Sequence, residues 1–405
     1  MALPTTTPNS ALGDHPLVLV TVSHFFPDHG GGIELVAGRL VSEFANRGAR
    51  VQWFASNTDP PPSSTNSRIS HFAVDSSNVV ETLTHMPYPL WSPRVIPALW
   101  RAIGNADLVH VHEHLYCGSL FALAIAALRR RPIVVTQHVG ALMLGNAGLT
   151  LLYRVMTRIL GKLVFRMVTH TVFISENVRR FFAVERQSNS LLIFNGIDTN
   201  QFTAPTMDER LVARETLKLP LDRKIVLFVG RFVRKKGLRI IERLAPQFPD
   251  ILWVLVGSGP ERPTSWQHPN VRVVGRIDHD KLPIFYRAAD LLFLPSTGEG
   301  LPLVVQEALC CGLAVLSTTE VASACPPAAP LVRTCVHRHD HEPLAAWNDA
   351  LGFVLADTRY LENRLERSRN ARALWSLDQC VAGYLTLFFQ LASQRRPRRC
   401  DADLR

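Results

Sequence analysis

Glycines and cationic side chains stand together directly after an apolar run at residues 225–229. The sequence there reads GRFVRKKG at residues 230–237, at a predicted turn from strand to helix. An arginine grips phosphate oxygens with a planar pair of N–H donors, and a lysine adds a compact positive charge. Arg231 and Lys236 are therefore candidate ligands for a diphosphate. A solvated basic loop is the alternative, and the segment by itself leaves both open.

Two carboxylates separated by seven residues, Glu299 and Glu307, flank a predicted helix start. Pro302 suits the first helical position, so Glu299 falls in the preceding loop and Glu307 in the second turn. A phosphate would repel Glu299, whereas sugar hydroxyls donate hydrogen bonds well to a carboxylate. Acidic residues also favour the first turns of helices for purely structural reasons. The helix start would offer the same ligand its free backbone amides, near Gly300, Leu301 and Leu303.

Two further glycine-rich segments follow apolar runs, HGGGIE at residues 29–34 and GSGPE at residues 257–261. Glycines let the backbone approach a ligand closely, and free N–H groups at a helix start attract phosphate. The first segment does not match G-x-G-x-x-G, so the dinucleotide fingerprint is not met. Each segment alone is explained equally well by a tight turn. The candidate ligand contacts in these loops are Gly31, Gly32, Gly257 and Gly259.

Short apolar runs that would position these loops recur along the chain, each followed by a helical pattern. Runs rich in Val, Ile, Leu and Phe are typical of parallel strands buried on both faces. Their alternation with helices predicts an α/β fold with two doubly wound Rossmann-like domains facing a cleft. The runs form two sets, at residues 17–22, 51–55, 108–111, 133–136 and 171–174, and at residues 225–229, 251–256, 271–274, 291–294 and 314–316.

The length of the chain fits two hydrophobic cores. It has 405 residues, of which 47% are hydrophobic, and single cores stop growing near about 250–300 residues. A polar stretch at residues 198–223 separates the two sets of runs. We predict a disordered leader over 1–16, an N-terminal acceptor-binding domain over 17–205, a C-terminal nucleotide-sugar-binding domain over 206–375, a helix over 376–393 that packs back toward the N-terminal domain, and a basic tail over 394–405.

The order and spacing of these motifs resemble those of one enzyme family. The sequence is similar to the retaining, nucleotide-sugar-dependent glycosyltransferases of family 4 (group 1), which have the GT-B fold. Residues 31–34 fit the pattern G-G-x-E, residues 230–237 fit G-R-x4-K-G, residues 256–261 fit V-G-x-G-P-E, and residues 299–307 fit E-x7-E. NGID at 195–198 and FISE at 173–176 match two more family segments. The likeness extends from about residue 17 to about residue 392.

The resemblance implies a role for each matching residue. Arg231 and Lys236 would neutralise the donor diphosphate, which is the leaving group, and Glu299 would hold hydroxyls of the transferred sugar. Glu307 would bind the ribose of the nucleotide. His138, at a predicted strand end, would lie beside the reacting sugar. The other donor contacts would come from Gly31, Gly32, Gly257, Gly259, Gly300, Leu301 and Leu303.

The activity that the resemblance implies is hexosyl transfer. A sugar would move from a nucleotide-sugar donor to a saccharide or lipid-linked acceptor, in the synthesis of cell-surface polysaccharide or glycolipid. The nucleotide sugar is a substrate, so no cofactor is expected. No metal is expected either, because Arg231 and Lys236 supply the positive charge. Two alternatives stay open: a non-catalytic subunit that binds a nucleotide sugar, and a GT-B epimerase or phosphorylase.

Two clusters of potential metal ligands fit other interpretations better. HRHDHE at residues 337–342 is too compact in sequence for a defined tetrahedral site, and we interpret it as a polar loop. Asp278 and Asp280 flank His279 just before an apolar helical pattern, which favours a helix cap. The predicted set of metal ligands is therefore empty.

The charge of the chain indicates an anionic partner. The formal net charge is +10 at pH 7. No helix-turn-helix, zinc finger or aromatic–basic pattern supports nucleic acid. The longest uncharged apolar stretch, residues 115–128, is too short to span a bilayer, and residues 1–16 lack the basic region of a signal peptide. We therefore expect a cytoplasmic protein, with peripheral attachment to the inner face of the membrane as an open possibility.

A basic amphipathic pattern between Leu151 and Arg166 raises that possibility. No acidic residue occurs between Glu113 and Glu176, and basic residues recur every fourth position at 154, 158, 162 and 166. Such a helix could lie on an anionic membrane surface, in which case the acceptor would be a lipid-linked saccharide or a glycolipid. An ordinary helix that packs on the sheet with a solvated basic face is the alternative.

Overall fold

The computed structural model describes residues 16–84, 88–140, 147–182, 189–335 and 344–395. The chain divides into two compact units. The first comprises residues 1–194 together with 378–405, and the second comprises residues 195–377. Each unit holds its own parallel sheet with helices between successive strands.

The first unit is built around a seven-stranded sheet in the order β3-β2-β1-β6-β7-β8-β9, with every neighbouring pair parallel. A short antiparallel pair, β4 and β5, stands apart from it. The strands are β1 (Val18–Val22), β2 (Arg50–Ser56), β3 (Ile69–Val74), β4 (Ser76–Ser77), β5 (Leu90–Trp91), β6 (Leu108–His112), β7 (Ile133–Gln137), β8 (His170–Phe173) and β9 (Ser190–Leu192). The helices are α1 (Gly32–Asn46), α2 (Val79–Thr84), α3 (Ile96–Asn105), α4 (Cys117–Leu128), α5 (Ala147–Met167) and α6 (Glu176–Phe182).

The second unit holds a six-stranded parallel sheet in the order β12-β11-β10-β13-β14-β15. Its strands are β10 (Lys224–Val229), β11 (Ile251–Val256), β12 (Val271–Gly275), β13 (Leu291–Leu294), β14 (Ala314–Thr318) and β15 (Arg333–Cys335). Its helices are α7 (Met207–Thr216), α8 (Leu238–Leu244), α9 (Leu282–Ala288), α10 (Leu303–Cys310), α11 (Thr319–Ser323), α12 (Leu344–Ala356), α13 (Thr358–Glu362) and α14 (Arg364–Trp375).

The last described helix, α15 (Leu377–Arg395), belongs with the first unit from Asp378 onward. Phe388 is fully buried there, and its ring lies 5.2 Å from the ring of Phe44 in α1. The hydroxyl of Tyr384 lies 3.0 Å from Oγ1 of Thr136 in β7. A segment distant in sequence therefore completes the core of the first unit.

Both sheets reverse their strand order at one point, between β1 and β6 in the first unit and between β10 and β13 in the second. In doubly wound sheets, ligands bind outside the carboxyl ends of the strands at such a switch point. The loops that leave β1 and β10 carry the predicted residues 31–32 and 231–236. The loop that leaves β13 carries Glu299. The predicted α/β class with doubly wound sheets is confirmed. The three loops lie at the strand ends where doubly wound sheets generally bind ligands.

Candidate functional site

Lys236 and Glu299 meet at the switch point of the second unit. Lys236 follows β10 and Glu299 follows β13, and these two strands are parallel neighbours. Nζ of Lys236 lies 2.7 Å from Oε1 of Glu299, and the two side chains are only 14% and 11% exposed. The sequence predicted both residues in one site, and the structure brings them into direct contact.

Gly237 allows this approach of the two loops. Its φ of +77° lies in the left-handed region, and a Cβ there would lie 2.5 Å from the carbonyl oxygen of Pro295. The carbonyl of Lys235 also accepts a hydrogen bond from the N–H of Thr297, at 2.9 Å. The loop after β10 therefore lies directly against the loop after β13, which fixes the position of Lys236.

The carboxylate of Glu299 is surrounded by positive charge. Burial acts to raise its pKa, but Lys236 and Lys235 outweigh that effect and hold the pKa below its usual value. Glu299 is therefore ionised at neutral pH. Arg231, in the same loop, is exposed to solvent. The second unit thus presents a cationic strand-end loop whose charge is partly compensated by the carboxylate of Glu299.

Glu307 is nearly inaccessible and already has partners. It lies in the second turn of α10, as predicted, and is 1% exposed. Its Oε1 lies 2.6 Å from Nε2 of His279, and its Oε2 accepts a hydrogen bond of 2.9 Å from the hydroxyl of Tyr286. His279 is partly exposed, so its ring links the buried carboxylate of Glu307 to the protein surface. Sequence reasoning placed no function on His279, although it lies beyond the end of β12.

The start of α10 differs by one position from the prediction. Pro302 is the N-cap residue, and the helix begins at Leu303. Because proline fixes φ but an extended ψ is equally open to it, Pro302 can end the loop rather than begin the helix. Leu301 is buried, whereas Gly300 and Leu303 are partly exposed in and after that loop. These three residues lie at the helix start, as predicted.

The glycines of the 257–261 segment pack against the loop that carries Arg231. A Cβ on Gly257 would lie 1.8 Å from the carbonyl oxygen of Gly230, and one on Gly259 would lie 2.4 Å from that of Phe232. The N–H of Phe232 donates to the carbonyl of Ser258 at 2.8 Å. These glycines therefore have a structural role in holding two strand-end loops together.

In the first unit, Gly31 and Gly32 begin α1 at the end of the loop that leaves β1. Gly31 is the N-cap residue, and a Cβ there would lie 2.1 Å from the carboxylate of Glu34. That carboxylate folds back and lies 2.8 Å from Nε2 of His24. The ring of His24 stacks on Tyr116 with centroids 4.0 Å apart. Glycine at position 31 thus makes room for a buried His24–Glu34 pair that the sequence did not reveal.

Both side chains of this pair are buried. Glu34 is 2% exposed and His24 is 2% exposed. Burial acts to raise the pKa of Glu34, but His24 outweighs it and the pKa lies below its usual value. Glu34 therefore stays ionised beside the start of α1.

His138 lies just beyond β7 and is buried. Its Nε2 lies 3.1 Å from Nδ1 of His112, the last residue of β6. Burial lowers the pKa of His138 well below its usual value, and the neighbouring histidines lower it further. His138 is therefore neutral at physiological pH and can serve as a hydrogen-bonding group but not as a fixed positive charge.

The predicted residues fall into two separate groups. Arg231, Lys236, Glu299 and Glu307 belong to the second unit, together with the predicted contacts at 257, 259, 300, 301 and 303. Gly31, Gly32 and His138 belong to the first unit. The polar residues that sequence reasoning missed, His24, Glu113 and His279, also follow strands. Their place beyond a strand end is the signal that could have found them.

Of the two clusters considered as metal sites, only residues 278–280 lie within the described part of the chain. Within the described residues, no group of three or more histidine, cysteine or acidic side chains is arranged to hold a metal ion. Residues 337–342 lie outside the described part of the chain. Asp278 occupies the N-cap position of a short 3-10 turn, but its carboxylate does not cap it and instead lies 2.7 Å from Nζ of Lys281.

Comparison with family models covers most of the chain. Residues 30–201 match the model described as Glycosyltransferase Family 4, and residues 209–372 match the model described as Glycosyl transferases group 1. The chain belongs to this glycosyltransferase family. The predicted family is confirmed.

Individual relatives agree with that assignment. This chain is 31% identical over 222 residues to a D-inositol 3-phosphate glycosyltransferase of Xylanimonas cellulosilytica. The match covers 50% of this chain and 52% of that protein. The chain spans about half the length of the curated relatives it matches.

Solved structures show the same fold. Sucrose-phosphate synthase of Thermosynechococcus elongatus aligns with a TM-score of 0.75 at 20% identity, over 93% of this chain and 100% of that one. HepE of Anabaena in complex with UDP-glucose aligns with a TM-score of 0.66 at 16% identity, over 92% and 100%. The predicted GT-B class of this glycosyltransferase is confirmed.

Among the helices that the structure describes, none is long and apolar enough to cross a membrane.

Proposed function

We propose that this glycosyltransferase moves a hexose from a nucleotide-sugar donor to a saccharide or lipid-linked acceptor with retention of anomeric configuration. The observation that carries the proposal is the buried Lys236–Glu299 pair at the switch point of the second sheet, beside the exposed Arg231. A cation suits the diphosphate of the donor, and a carboxylate suits the hydroxyls of its sugar. The product would be a cell-surface polysaccharide or a glycolipid.

The charges of the second unit define the chemical step. The bond between the anomeric carbon and the diphosphate breaks, and negative charge grows on the departing phosphate. Arg231 and Lys236 stabilise that charge without reorganisation, which for one fixed donor is typically worth about 3–4 kcal/mol of barrier. The acceptor oxygen bonds to the anomeric carbon from the same face, and its proton passes to the departing phosphate. Glu299 orients the transferred sugar.

Glu307 is proposed to bind the ribose of the nucleotide. Its buried carboxylate is held by Tyr286 and His279, and His279 is the partly exposed member of the three. A ribose hydroxyl would therefore share or replace the contact of His279 with Oε1. Gly31, Gly32 and His138 stay predicted contacts of the donor and its sugar.

Metal independence is part of the proposal. Arg231, Lys235 and Lys236 place three positive charges in one loop, which is the role that a divalent cation has in metal-dependent phosphate chemistry. We expect excess EDTA to leave the rate of transfer within about twofold. A rate that EDTA abolishes and Mg²⁺ or Mn²⁺ restores would overturn this part of the proposal.

Binding and turnover of UDP-glucose, the ligand of the HepE structure, provide the first test. UDP-glucose and UDP in excess should raise the melting temperature, since both would bind only the folded protein. Lys236→Ala should abolish that shift, and Glu299→Gln should retain the UDP shift but reduce UDP release from UDP-glucose at least about a hundredfold. Lys281→Ala is the matched control, because it removes a lysine from an exposed pair of equal length.

The alternatives give different results in the same experiments. A shift with UDP-glucose but no UDP release with any acceptor would favour a non-catalytic binding subunit. Release of a free epimerised sugar nucleotide without an acceptor product would favour an epimerase. Repeating the screen with GDP-mannose and ADP-glucose identifies the base. No shift with any of the three donors would contradict the proposed donor site.

Helix α5 supports a lipid-linked acceptor, because its apolar side chains are turned to solvent. Leu151, Ile159, Leu163 and Met167 are between 52% and 69% exposed. The buried positions of the helix are instead Thr157, Gly161 and Phe165, and Val168 directly after the helix is also buried. Most of the large apolar side chains of α5 therefore do not pack against the rest of the unit, unlike those of an ordinary packed helix.

The charges along α5 indicate that an anionic lipid surface would bind this exposed apolar face. Lys162 and Arg166 are exposed, and residues 147–167 contain no acidic side chain. A basic helix with exposed leucine and isoleucine lies in the interface of an anionic membrane, where each nearby cation is worth about 1 kcal/mol. We therefore propose peripheral attachment through α5.

Vesicle sedimentation tests this attachment. The protein should bind vesicles containing 30–40% phosphatidylserine (about the density needed for an appreciable surface potential) and not pure phosphatidylcholine. Lys162→Glu with Arg166→Glu should weaken binding more than about tenfold, as should Ile159→Ser with Leu163→Ser. Arg94→Glu, an exposed charge reversal elsewhere in the unit, is the control. Equal binding to both vesicle types would exclude the electrostatic part of this proposal, and no binding would exclude all of it.

A further inference from the structure

Glu113 occupies a conformation that is unusual for its residue type. It follows β6 directly and has a φ of +67°, in the left-handed region that glycine favours. It is 5% exposed, so its carboxylate is buried. Its N–H donates to the carbonyl of Thr136 in β7 at 2.9 Å. A strained backbone and a buried acid at one position need a compensating function or set of contacts.

The carboxylate of Glu113 receives its hydrogen bonds from the turn that carries His138. Oε1 accepts from the backbone N–H groups of His138 and Val139, each at 2.6 Å. Oε2 accepts from Nε2 of Gln137, also at 2.6 Å. The Oε1 atom of Gln137 in turn lies 2.7 Å from Nδ1 of His114. Three donors from consecutive residues therefore converge on one buried acid.

These bonds fix the backbone where β7 ends. Two consecutive N–H groups that point at the same oxygen restrict φ and ψ on both sides of His138, much as an anion does in a backbone nest. Nε2 of His138 lies 3.1 Å from Nδ1 of His112, which precedes Glu113 in the chain. Residues 112 and 113 thus hold His138 by its side chain and by its backbone at once.

We infer that Glu113 is a positioning residue for glycosyl transfer, which orients His138 through the backbone N–H groups of residues 138 and 139. The inference rests on the proposed role of His138 beside the transferred sugar. Because Glu113 is buried behind the turn, it acts through His138 and not by contact with a substrate. The strain at residue 113 is explained by this geometry, since the left-handed backbone turns the acid toward the end of β7.

Amide hydrogen exchange tests the geometry without any need for activity. In Glu113→Ala, which removes both acceptor oxygens, exchange in a peptide spanning residues 137–140 should become at least about tenfold faster. Glu113→Gln keeps one acceptor oxygen for the N–H groups of residues 138 and 139, but its own N–H group then faces the N–H group of Gln137. The increase in exchange rate should therefore be smaller than in Glu113→Ala. Peptides from β1 and β2 and the matched surface variant Glu43→Gln should show wild-type exchange. Unchanged exchange at 137–140 in both Glu113 variants would overturn the inference.

Kinetics test the functional link. Glu113→Gln should lower kcat for UDP release from UDP-glucose by about tenfold or more while leaving KM for UDP-glucose within about twofold. The reason is that Arg231, Lys236 and Glu307, which we propose to bind the diphosphate and the ribose, belong to the second unit. In a His138→Ala background, Glu113→Gln should have little further effect on kcat. Additive losses in the double variant would show that Glu113 does not act through His138, and would overturn the inference.

These outcomes separate the inference from the proposed function. If the wild-type protein neither binds nor cleaves UDP-glucose, GDP-mannose or ADP-glucose, the proposed function fails, and hydrogen exchange still decides whether Glu113 fixes the turn. If wild type is active and His138→Ala is not, but Glu113→Gln retains full kcat, the proposed function stands and the inference fails. If Glu113→Ala does not fold, Glu113→Gln carries both measurements.

Discussion

Lys236 and Glu299 neutralise each other where the loops after β10 and β13 meet. A buried ion pair contributes little net stability, because desolvation of both groups offsets their attraction. Removing one partner is different, since it leaves the other charged and buried. Net stabilisation is therefore a weak explanation for the pair, in agreement with the role that we propose for it in donor binding.

This asymmetry gives a prediction at the level of single residues. Lys236→Met should lower the free energy of unfolding by about 3 kcal/mol, because Glu299 loses its closest partner, and Lys236→Met with Glu299→Gln should recover most of that loss. Urea unfolding at pH 7 measures both. Lys281→Met, in an exposed pair, should cost less than about 1 kcal/mol. A double variant as unstable as Lys236→Met alone would show that the pair does not account for the loss.

Sequence reasoning reached the charged residues of the site but not their partners. Arg231, Lys236, Glu299 and Glu307 follow from residue type, spacing and resemblance to a family. The contacts His24–Glu34 and His279–Glu307 could not be predicted, because each joins residues from different elements whose distance depends on packing. The sequence predicts where strands end. It does not predict which polar residues meet there, because that depends on the order of the strands in the sheet.

At the level of elements, the interlocked glycine loops of the second unit carry a prediction. Gly257→Ala should destabilise the protein by more than about 2 kcal/mol and displace the loop of Arg231, since its Cβ would overlap the carbonyl oxygen of Gly230. Nucleotide-induced thermal shifts should fall with it. Gly352→Ala, within α12 and open to space, should be neutral or stabilising by up to about 1 kcal/mol. A well-tolerated Gly257→Ala would contradict the structural role.

The docking of α15 carries a second prediction at this level. Phe388 is fully buried against Phe44, His110 and Tyr384, so Phe388→Ala should cost about 3–5 kcal/mol. Phe353→Ala, at a side chain that is 69% exposed, should cost less than about 0.5 kcal/mol. Denaturant unfolding compares the two. Equal, small losses would show that the last helix does not belong to the core of the first unit.

Nine of the ten strands that the sequence predicted lie inside a sheet, and the tenth, β12, stands at an edge. The ten apolar runs each correspond to a strand, with ends that differ by at most two residues. A central parallel strand has no polar face to interrupt its apolar pattern, which explains the nine central strands. Five strands were missed: β4 and β5 form the separate antiparallel pair, and β3, β9 and β15 stand at sheet edges. The sequences of these last three, ISHFAV, SLL and RTC, are short or mixed in polarity, so they offer no apolar run to detect.

For the whole molecule, buried titratable groups in the first unit set the response to acid. Burial lowers the pKa of His112 to about 3 and that of His114 to about 4, and lowers that of His110 and His138 well below its usual value. Unfolding frees these rings to bind protons near pH 6.5, whereas the folded protein keeps them neutral. The contribution of these histidines to stability is therefore complete above about pH 6.5 and is lost as the pH drops toward 4.

Glu113 acts in the opposite direction over nearly the same range. Burial raises its pKa to about 7, although three hydrogen bonds oppose the shift. Between about pH 7 and 4.5 the folded protein therefore binds this proton more tightly than the unfolded chain, so Glu113 adds stability as the pH falls. A single such group changes the free energy of unfolding by up to about 1.4 kcal/mol per pH unit, which makes the two effects separable by mutation.

Two variants should thus change the acid response with opposite sign. His114→Asn, which keeps a donor near the position of Nδ1, should flatten the loss of unfolding free energy between pH 6.5 and 4.5. Glu113→Gln should steepen it. Urea unfolding at half-unit pH steps measures the slopes, and slopes are compared because each variant also has a constant packing cost. Above pH 7.5 all three proteins should have parallel profiles. If both variants shift the slope the same way, burial in the first unit is not what couples its stability to protons.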